Sequence, residues 1–333
     1  MGAATARSLA GRGAKVVLFE RFEVGHQRGS SHGPARIFRF SYRDDRYVDM
    51  AEQTLPMWRA LESELEGSFF TTTGGLDMGA GLEQNVAALT QHGASFEMLT
   101  GGEARSRWPS MKFDAAEDVL YQPDAGLIAA DRAWSAFVAS AEKRGARIEE
   151  HRSVTDLTNG SDEVLLRVDD EDVGARSCVV TAGAWAKPLL ERAGIALDVH
   201  PSRETIAYFT AAGPPLPFVE WGSPAAYALP SLGYGPGVVR AGFHIAGPTT
   251  DPEEEGVVEP AAVDRIAQWA AGRIEGVDPT PVATETCIYT NTDDEHFILE
   301  RHGSIVVGSP CSGHGFKFAP LIGDHLADLA LGS

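Results

Sequence analysis

The sequence predicts an α/β protein in which a dinucleotide-binding domain of the parallel βαβ kind is interleaved with a mixed-sheet α+β domain. Three observations carry this expectation. At 333 residues the chain is too long for one simple core and short for three domains. It opens on a small-residue helix, a glycine turn and a buried apolar strand ending on an acid, which is the second half of a dinucleotide-binding βαβ unit. Both ends read as α/β around a strand-rich middle, so the two domains interleave rather than follow one another. A composition of 43% hydrophobic and 23% charged residues is that of an ordinary globular protein and excludes a disordered or fibrous chain.

Taken in order, residues 2–12 are rich in small residues and helix formers, and Gly11 and Gly13 stop them. Residues 16–19 read as a short parallel strand that delivers Glu20 at its end. A complete fingerprint has a strand and two glycines before a third. Gly2 stands where that third glycine belongs, so the chain is expected to begin inside the motif, with its first strand missing. Residues 46–65 carry a helical apolar period (Val48, Met50, Ala51, Leu55, Trp58, Leu61). A strand over 69–78, a helix over 82–92, a helix over 130–144 and a strand over 147–151 follow. Residues 178–181 form a buried strand running into Ala182-Gly183-Ala184, with a helix over 185–193. Residues 201–210 and the Gly/Pro-rich stretch 214–242 read as antiparallel strands with turns. A last buried strand covers 304–308 and a last helix 316–331. The acidic run 251–255 reads as a solvated loop.

Charge and cysteine content narrow the function. Twenty-eight basic and 47 acidic residues give a net charge of −19, which disfavours nucleic acid and anionic membrane surfaces as partners. No apolar run approaches the roughly 20 residues that span a bilayer. The three cysteines form no C-x-x-C pair, so a disulfide or zinc framework is excluded and a reducing, cytoplasmic setting is expected. The N-terminus lacks the basic and apolar regions of a signal peptide.

Three segments carry chemistry. In residues 29–42 (GSSHGPARIFRFSY), Gly29-Ser30-Ser31-His32-Gly33 matches the G-x-S-x-G pattern of a hydrolase nucleophile elbow. That elbow needs a strand before it and a helix after it, whereas a loop precedes this one and Pro34 follows. Arg36 and Arg39, flanked by apolar residues in so acidic a chain, instead offer the bidentate fork that holds a small carboxylate. Arg43 and Arg46 are read as surface partners of Asp44 and Asp45. In residues 284–297, alternation places Cys287 and Tyr289 on one face of a strand. A lone cysteine there is by base rate a small buried hydrophobe. Asp293 to His296 are adjacent on a loop and are not expected to converge on a metal. In residues 308–318 (GSPCSGHGFKF), glycines permit close backbone approach to a flat ligand, with Lys317 at the start of the following helix.

Together, and in this order, GSSHGPARIFRFSY, TCIYTNTDDEHF and SGHGFKF closely resemble the monomeric sarcosine oxidase and N-methyltryptophan oxidase family, a branch of the D-amino-acid-oxidase-like FAD enzymes. The resemblance runs over nearly the whole chain. It implies a Rossmann-type FAD-binding domain formed by residues 1–73, 131–199 and 292–333, and a substrate domain formed by 74–130 and 200–291. It implies covalent attachment of FAD through Cys287, and a substrate-carboxylate clamp of Arg39 and Lys317. His32 and Arg36 match residues beside the flavin ring, with Ser31, Gly313, Gly315 and Phe316 in the flavin-facing motifs. Tyr227, His244 and Tyr289 match residues around the substrate. Gly2, Glu20 and Val154 match the pyrophosphate turn, the ribose-binding acid and the backbone contact to adenine. The implied partners are a small N-methylated amino acid and oxygen, and the implied state is a monomer. Arg240 stands where the oxidases carry a lysine used for oxygen activation, and two extra residues lie in the loop before it. Two alternatives therefore stay open: an amine dehydrogenase with another acceptor, and a fragment that does not retain FAD.

Overall fold

The computed structural model describes residues 1–160, 163–213 and 215–332. Pro214, which begins the Gly/Pro-rich stretch, and Ser333 lie outside the described residues. The site is organised by one eight-stranded sheet, in the order Ala283–Asn291, His200–Thr210, Val238–His244, Ala225–Pro230, Phe218–Trp221, Gly75–Gly79, Asp118–Gln122, Glu97–Thr100. All of its pairings are antiparallel except that between Phe218–Trp221 and Gly75–Gly79.

Side chains alternate along a strand and directly paired residues share a face, so register decides which residues meet. The pairs Tyr208↔Ala283, Tyr208↔Arg240, Tyr227↔Gly242, Val219↔Tyr227, Val219↔Asp77 and Asp77↔Leu120 are all in register. Glu285, Cys287, Tyr289, Arg240, His244, Tyr227, Trp221, Asp77 and Gln122 therefore project from one face. The other face is apolar: Ala207, Phe209, Phe218, Ala228, Val239, Ala241, Leu76 and Met78 are buried against Ile266, Ala267 and Ala270 of the helix Pro260–Arg273. Each large side chain buried there contributes roughly 1.5–3 kcal/mol. A one-residue slip would exchange the two faces, so burial of this core fixes the register of the polar one.

The chain's ends supply the parallel pairs expected of a dinucleotide-binding unit. Val17–Phe19 pairs with Arg147–Glu149, and Cys178–Val180 with Ile305–Ser309. The helix Gly2–Gly11 packs on Ala130–Lys143 and Ala319–Leu331. Gly323 permits that contact, because a Cβ there would stand 2.8 Å from the Ala4 carbonyl carbon.

Several elements depart from the expected ones. The single strand over 69–78 is two, Phe70–Thr72 and Gly75–Gly79, in different sheets; Gly74, at φ +77°, turns the chain between them. The helices over 185–193 and 316–331 begin as the 3-10 turns Gly183–Trp185 and Phe316–Phe318, and continue as Ala186–Arg192 and Ala319–Leu331. Pro320 takes the first turn of the last helix, where its missing N–H costs nothing. An antiparallel sheet of Val154–Asn159, Val164–Val168 and Glu171–Ala175 was not expected. The acidic run 251–255 is an exposed loop as expected, and within it Glu253 pairs with Arg21 and accepts from Trp185 Nε1 at 2.9 Å. Among the described residues, no helix is long and apolar enough to cross a membrane.

Candidate active site

A cavity of about 2110 Å³ runs between the sheet's polar face and the parallel strands, and every site residue expected from the sequence lines it. It exceeds the roughly 300–1,000 Å³ of a site for one small ligand. At one end lie Gly2, Glu20 and Val154. A Cβ on Gly2 would stand 2.9 Å from Thr181 Oγ1 and 3.5 Å from Leu18 Cδ1, so only glycine lets the helix start come so close to the two strands. The Glu20 carboxyl lies below its ordinary range. Burial alone would raise it, but His26, 3.6 Å away, and the N–H of Phe22 at 3.0 Å outweigh that.

The glycine–serine loop before the strand Arg36–Phe38 wraps the Arg36 guanidinium, which donates to the carbonyls of Ser30 (2.9 Å), His32 (2.6 Å) and Ala35 (2.9 Å). No strand runs directly into Gly29 and a strand rather than a helix follows Gly33, so the hydrolase elbow is absent among the described residues. His32 Nδ1 lies 2.8 Å from Gly29 O, and the ring is held neutral, its pKa lowered by burial and then by Arg36. Arg240 reaches across from the sheet to the same carbonyl, donating to Ala35 O at 2.8 Å. It is 4% exposed, and its Nε has no partner among the described residues. A buried and a half-buried arginine thus share one acceptor. Among the described residues the carboxylate that pairs with Arg240 is Glu285, 3.8 Å from Nη2, which also accepts from Tyr208 Oη at 2.6 Å.

Cys287 lies beside this pair, buried with Ile206, Tyr208 and Tyr289. Burial pushes its thiol up to about 11, although Arg36 and Arg240 draw it down. Cys311 also lines the cavity, and its Sγ accepts the Thr290 N–H at 3.2 Å.

In the same cavity two cations converge on Tyr42. The Arg39 guanidinium carbon lies 3.9 Å from the centroid of the Tyr42 ring, and Lys317 Nζ donates to Tyr42 Oη at 2.8 Å and to His314 O at 2.7 Å. Among the described residues neither has an ion-pair partner, in a chain of net charge −19. Burial, then Arg39 and Arg36, holds the Lys317 amino group well below its ordinary range. Arg46 does pair with Asp44 (2.6 Å), but Arg43 does not pair at the surface as expected; it donates to Ala80 O at 3.0 Å and lies 5.5 Å from the Trp221 ring. Asp293, Glu295 and His296 turn to His200, His244 and Tyr47, so they do not converge. Tyr227, Tyr289 and His244 line the same cavity, with the last two rings 5.9 Å apart. Gly313, at φ +74°, leaves that space open, since a Cβ would fall 2.2 Å from the Tyr289 ring and 2.8 Å from the His244 ring.

Residues 1–329 match the model of the DAO family, FAD dependent oxidoreductase. The chain belongs to that family. A probable sarcosine oxidase of Arabidopsis thaliana is 32% identical to this DAO-family chain, over 99% of the chain and 86% of the relative. A monomeric sarcosine oxidase of a Bacillus species is 30% identical, over 99% and 90%. The open form of NikD, an unusual amino acid oxidase essential for nikkomycin biosynthesis, superposes with a TM-score of 0.88 at 27% identity, covering 99% of this chain and 91% of that one. The DAO fold fits FAD here on the molecule's own geometry: a helix start stripped of side chain at Gly2, an acid held below its ordinary pKa at the strand end, and one large cavity lined by both. Sequence reasoning did not single out Glu285, Tyr42, Asp77 or Trp221, which have their places only through strand register and loop packing.

Proposed function

We propose that this chain oxidises the C–N bond of a small N-methylated amino acid such as sarcosine or N-methyltryptophan, with oxygen reduced to hydrogen peroxide. The observation that carries the reading is the pair Arg39 and Lys317, which line the cavity and converge on Tyr42 without an ion-pair partner among the described residues. FAD, when bound, supplies the two-electron acceptor; we assign residues 1–73, 131–199 and 292–333 to holding it, with Cys287 as its covalent anchor. Residues 74–130 and 200–291 form the substrate side. Arg39 and Lys317 take the carboxylate, which orients the amine between Tyr227, Tyr289 and His244 and excludes water from it. Cations around a buried amine lower its pKa, so the site favours the neutral amine that oxidation requires. We place the protein in the cytoplasm, a reducing compartment that suits three free cysteines, and as a monomer, consistent with the mutual repulsion of copies so acidic. Anaerobic mixing with sarcosine should bleach the bound flavin. No bleaching by any N-methyl amino acid would remove the reading.

Lys317 makes carboxylate binding depend on pH. An amine held below its ordinary pKa loses its proton at a lower pH than a free lysine does, and a bound carboxylate raises that pKa again. Binding of acetate should therefore take up a proton and weaken as pH rises. Calorimetry in buffers of different ionisation heat measures the uptake; none, with a flat affinity, would show that Lys317 is already charged.

Arg240 bears on the acceptor. A fixed positive charge stabilises oxygen as it takes up negative charge, and Arg240 supplies one. Glu285, 3.8 Å away, offsets part of it, which favours a second reading in which another acceptor competes with oxygen. Arg240→Met should slow reoxidation by oxygen with little change in anaerobic reduction, and Arg240→Lys should speed it. Stopped-flow mixing of reduced enzyme with oxygen isolates the step. A wild type no faster than free reduced flavin, with Arg240→Met unchanged, would favour the dehydrogenase.

A further inference from the structure

Arg39 is held by aromatic faces rather than by an ion pair. Its guanidinium lies 3.9 Å from the Tyr42 centroid and 4.9 Å from that of Trp221. This leaves its donors largely uncommitted: among the described residues its guanidinium donates to Ser41 O alone. Stacking of this kind orients a guanidinium plane without using its fork.

Both the ring and the backbone that carry this arrangement lead to one buried carboxylate. Asp77, 1% exposed, accepts from Trp221 Nε1 at 2.8 Å and from Gln122 Nε2 at 2.5 Å. Gln122, fully buried, accepts the N–H groups of Phe40 (2.8 Å) and Ser41 (2.7 Å), the two residues after Arg39. Those two main-chain donors fix the Gln122 amide oxygen on their side, so its NH₂ must face Asp77, and Asp77 must be an acceptor there. The Asp77 strand and the Trp221 strand are parallel neighbours, which is what brings acid and indole together. Enclosing a carboxylate costs stability that an apolar residue would not. Burial accordingly raises Asp77 to about 6, with Arg39 foremost among the groups that hold it down.

We propose that Asp77 and Trp221 are positioning residues of the carboxylate site: Asp77 anchors the Trp221 indole and, through Gln122, the main chain after Arg39, so that the guanidinium fork faces the cavity and selects substrates that bear a carboxylate. The inference rests on the carboxylate-binding role given to Arg39 above. Neither residue touches the reacting C–N bond in this scheme, so the effect belongs to binding and selectivity rather than to the bond-breaking step.

The test uses the flavin-loaded full chain, with Trp221→Phe and Asp77→Asn. The first keeps an aromatic face but loses the indole donor. The second leaves one acceptor for two donors, so its NH₂ group meets either the Trp221 N–H or the Gln122 NH₂, and Trp221→Phe keeps the proposal testable should this variant not fold. Acetate binding is read from the visible flavin spectrum. Anaerobic stopped flow gives the apparent Kd and limiting rate for sarcosine and for dimethylamine, which is sarcosine without its carboxylate. Kd for acetate and sarcosine should rise about tenfold in each folded variant, as expected for loss of a buried hydrogen bond to a charged group. The limiting rate with sarcosine and the kinetics with dimethylamine should stay as in wild type. Acetate and sarcosine affinities within about twofold of wild type would overturn the proposal, and so would equal losses with dimethylamine, which mark general damage. If wild type is not reduced by sarcosine at all, the proposed function fails while acetate binding still decides the roles of Asp77 and Trp221.

Discussion

Arg39→Ala and Lys317→Ala are each expected to weaken binding of a simple carboxylate inhibitor by tens-fold or more. Removing one member of a buried, charge-assisted pair costs on the order of 2–5 kcal/mol, and each 1.4 kcal/mol is about tenfold in affinity. Lys317 should show the larger loss. It is 5% exposed and its ammonium is enclosed by Tyr42 and the His314 carbonyl, whereas Arg39 is half-buried and keeps some contact with water. The two effects should not add, because both cations bear on Tyr42: Arg39 through its face and Lys317 through its hydroxyl. Lys317→Met, close in length and without charge, separates loss of charge from loss of packing. Titration with acetate measures each Kd. Binding unchanged in either alanine variant would take that residue out of the site.

The clamp shows how far the sequence reaches. Arg36 and Arg39 stand out because two cations among apolar neighbours need a reason in an acidic chain, and Lys317 because it ends a glycine-rich turn. What holds Arg39 was not legible. Trp221 and Asp77 are 144 residues apart, and only parallel pairing of two short strands makes them neighbours. Glu285 is one residue of an alternating strand that was read, yet its meaning depends on Arg240, which the register of two intervening pairings brings to the same face. The helix Pro260–Arg273 is a different case. Val263, Ile266, Ala267 and Ala270 carry its period and Pro260 marks its start, so the pattern was present but is weak in small alanines. In the strand Val164–Val168, Val164, Leu166 and Val168 point inward, but Leu165 is 45% exposed and hides the alternation. Local periodicity told which segments fold. Long-range pairing told which side chains meet.

Cys287→Ser is expected to convert a flavin that survives acid precipitation into one that is released by it. In the parent enzyme the intact mass should exceed that of the polypeptide by one FAD. The thiol is well placed and poorly activated at once: it is 3% exposed, lines the cavity, and its closest recorded acceptor, Ile288 O, is a weak contact at 3.9 Å. Attachment requires the thiolate, and burial has pushed this thiol up to about 11. At neutral pH little of it is ionised, so attachment to added FAD should be slow and should quicken as pH rises toward that value. Arg36 and Arg240 both favour the thiolate, so Arg240→Met should slow attachment further, since the thiol then keeps its burial and loses one of its two cations. The rival is Cys311, whose sulfur accepts the Thr290 N–H at 3.2 Å, a contact that a thiolate would strengthen. Peptide mapping of the flavin-bearing fragment decides between them. Finding FAD on Cys311, or retained by Cys287→Ser after acid precipitation, would overturn the assignment. Attachment at Cys287 that does not change with pH would show that the thiolate is formed only after FAD binds.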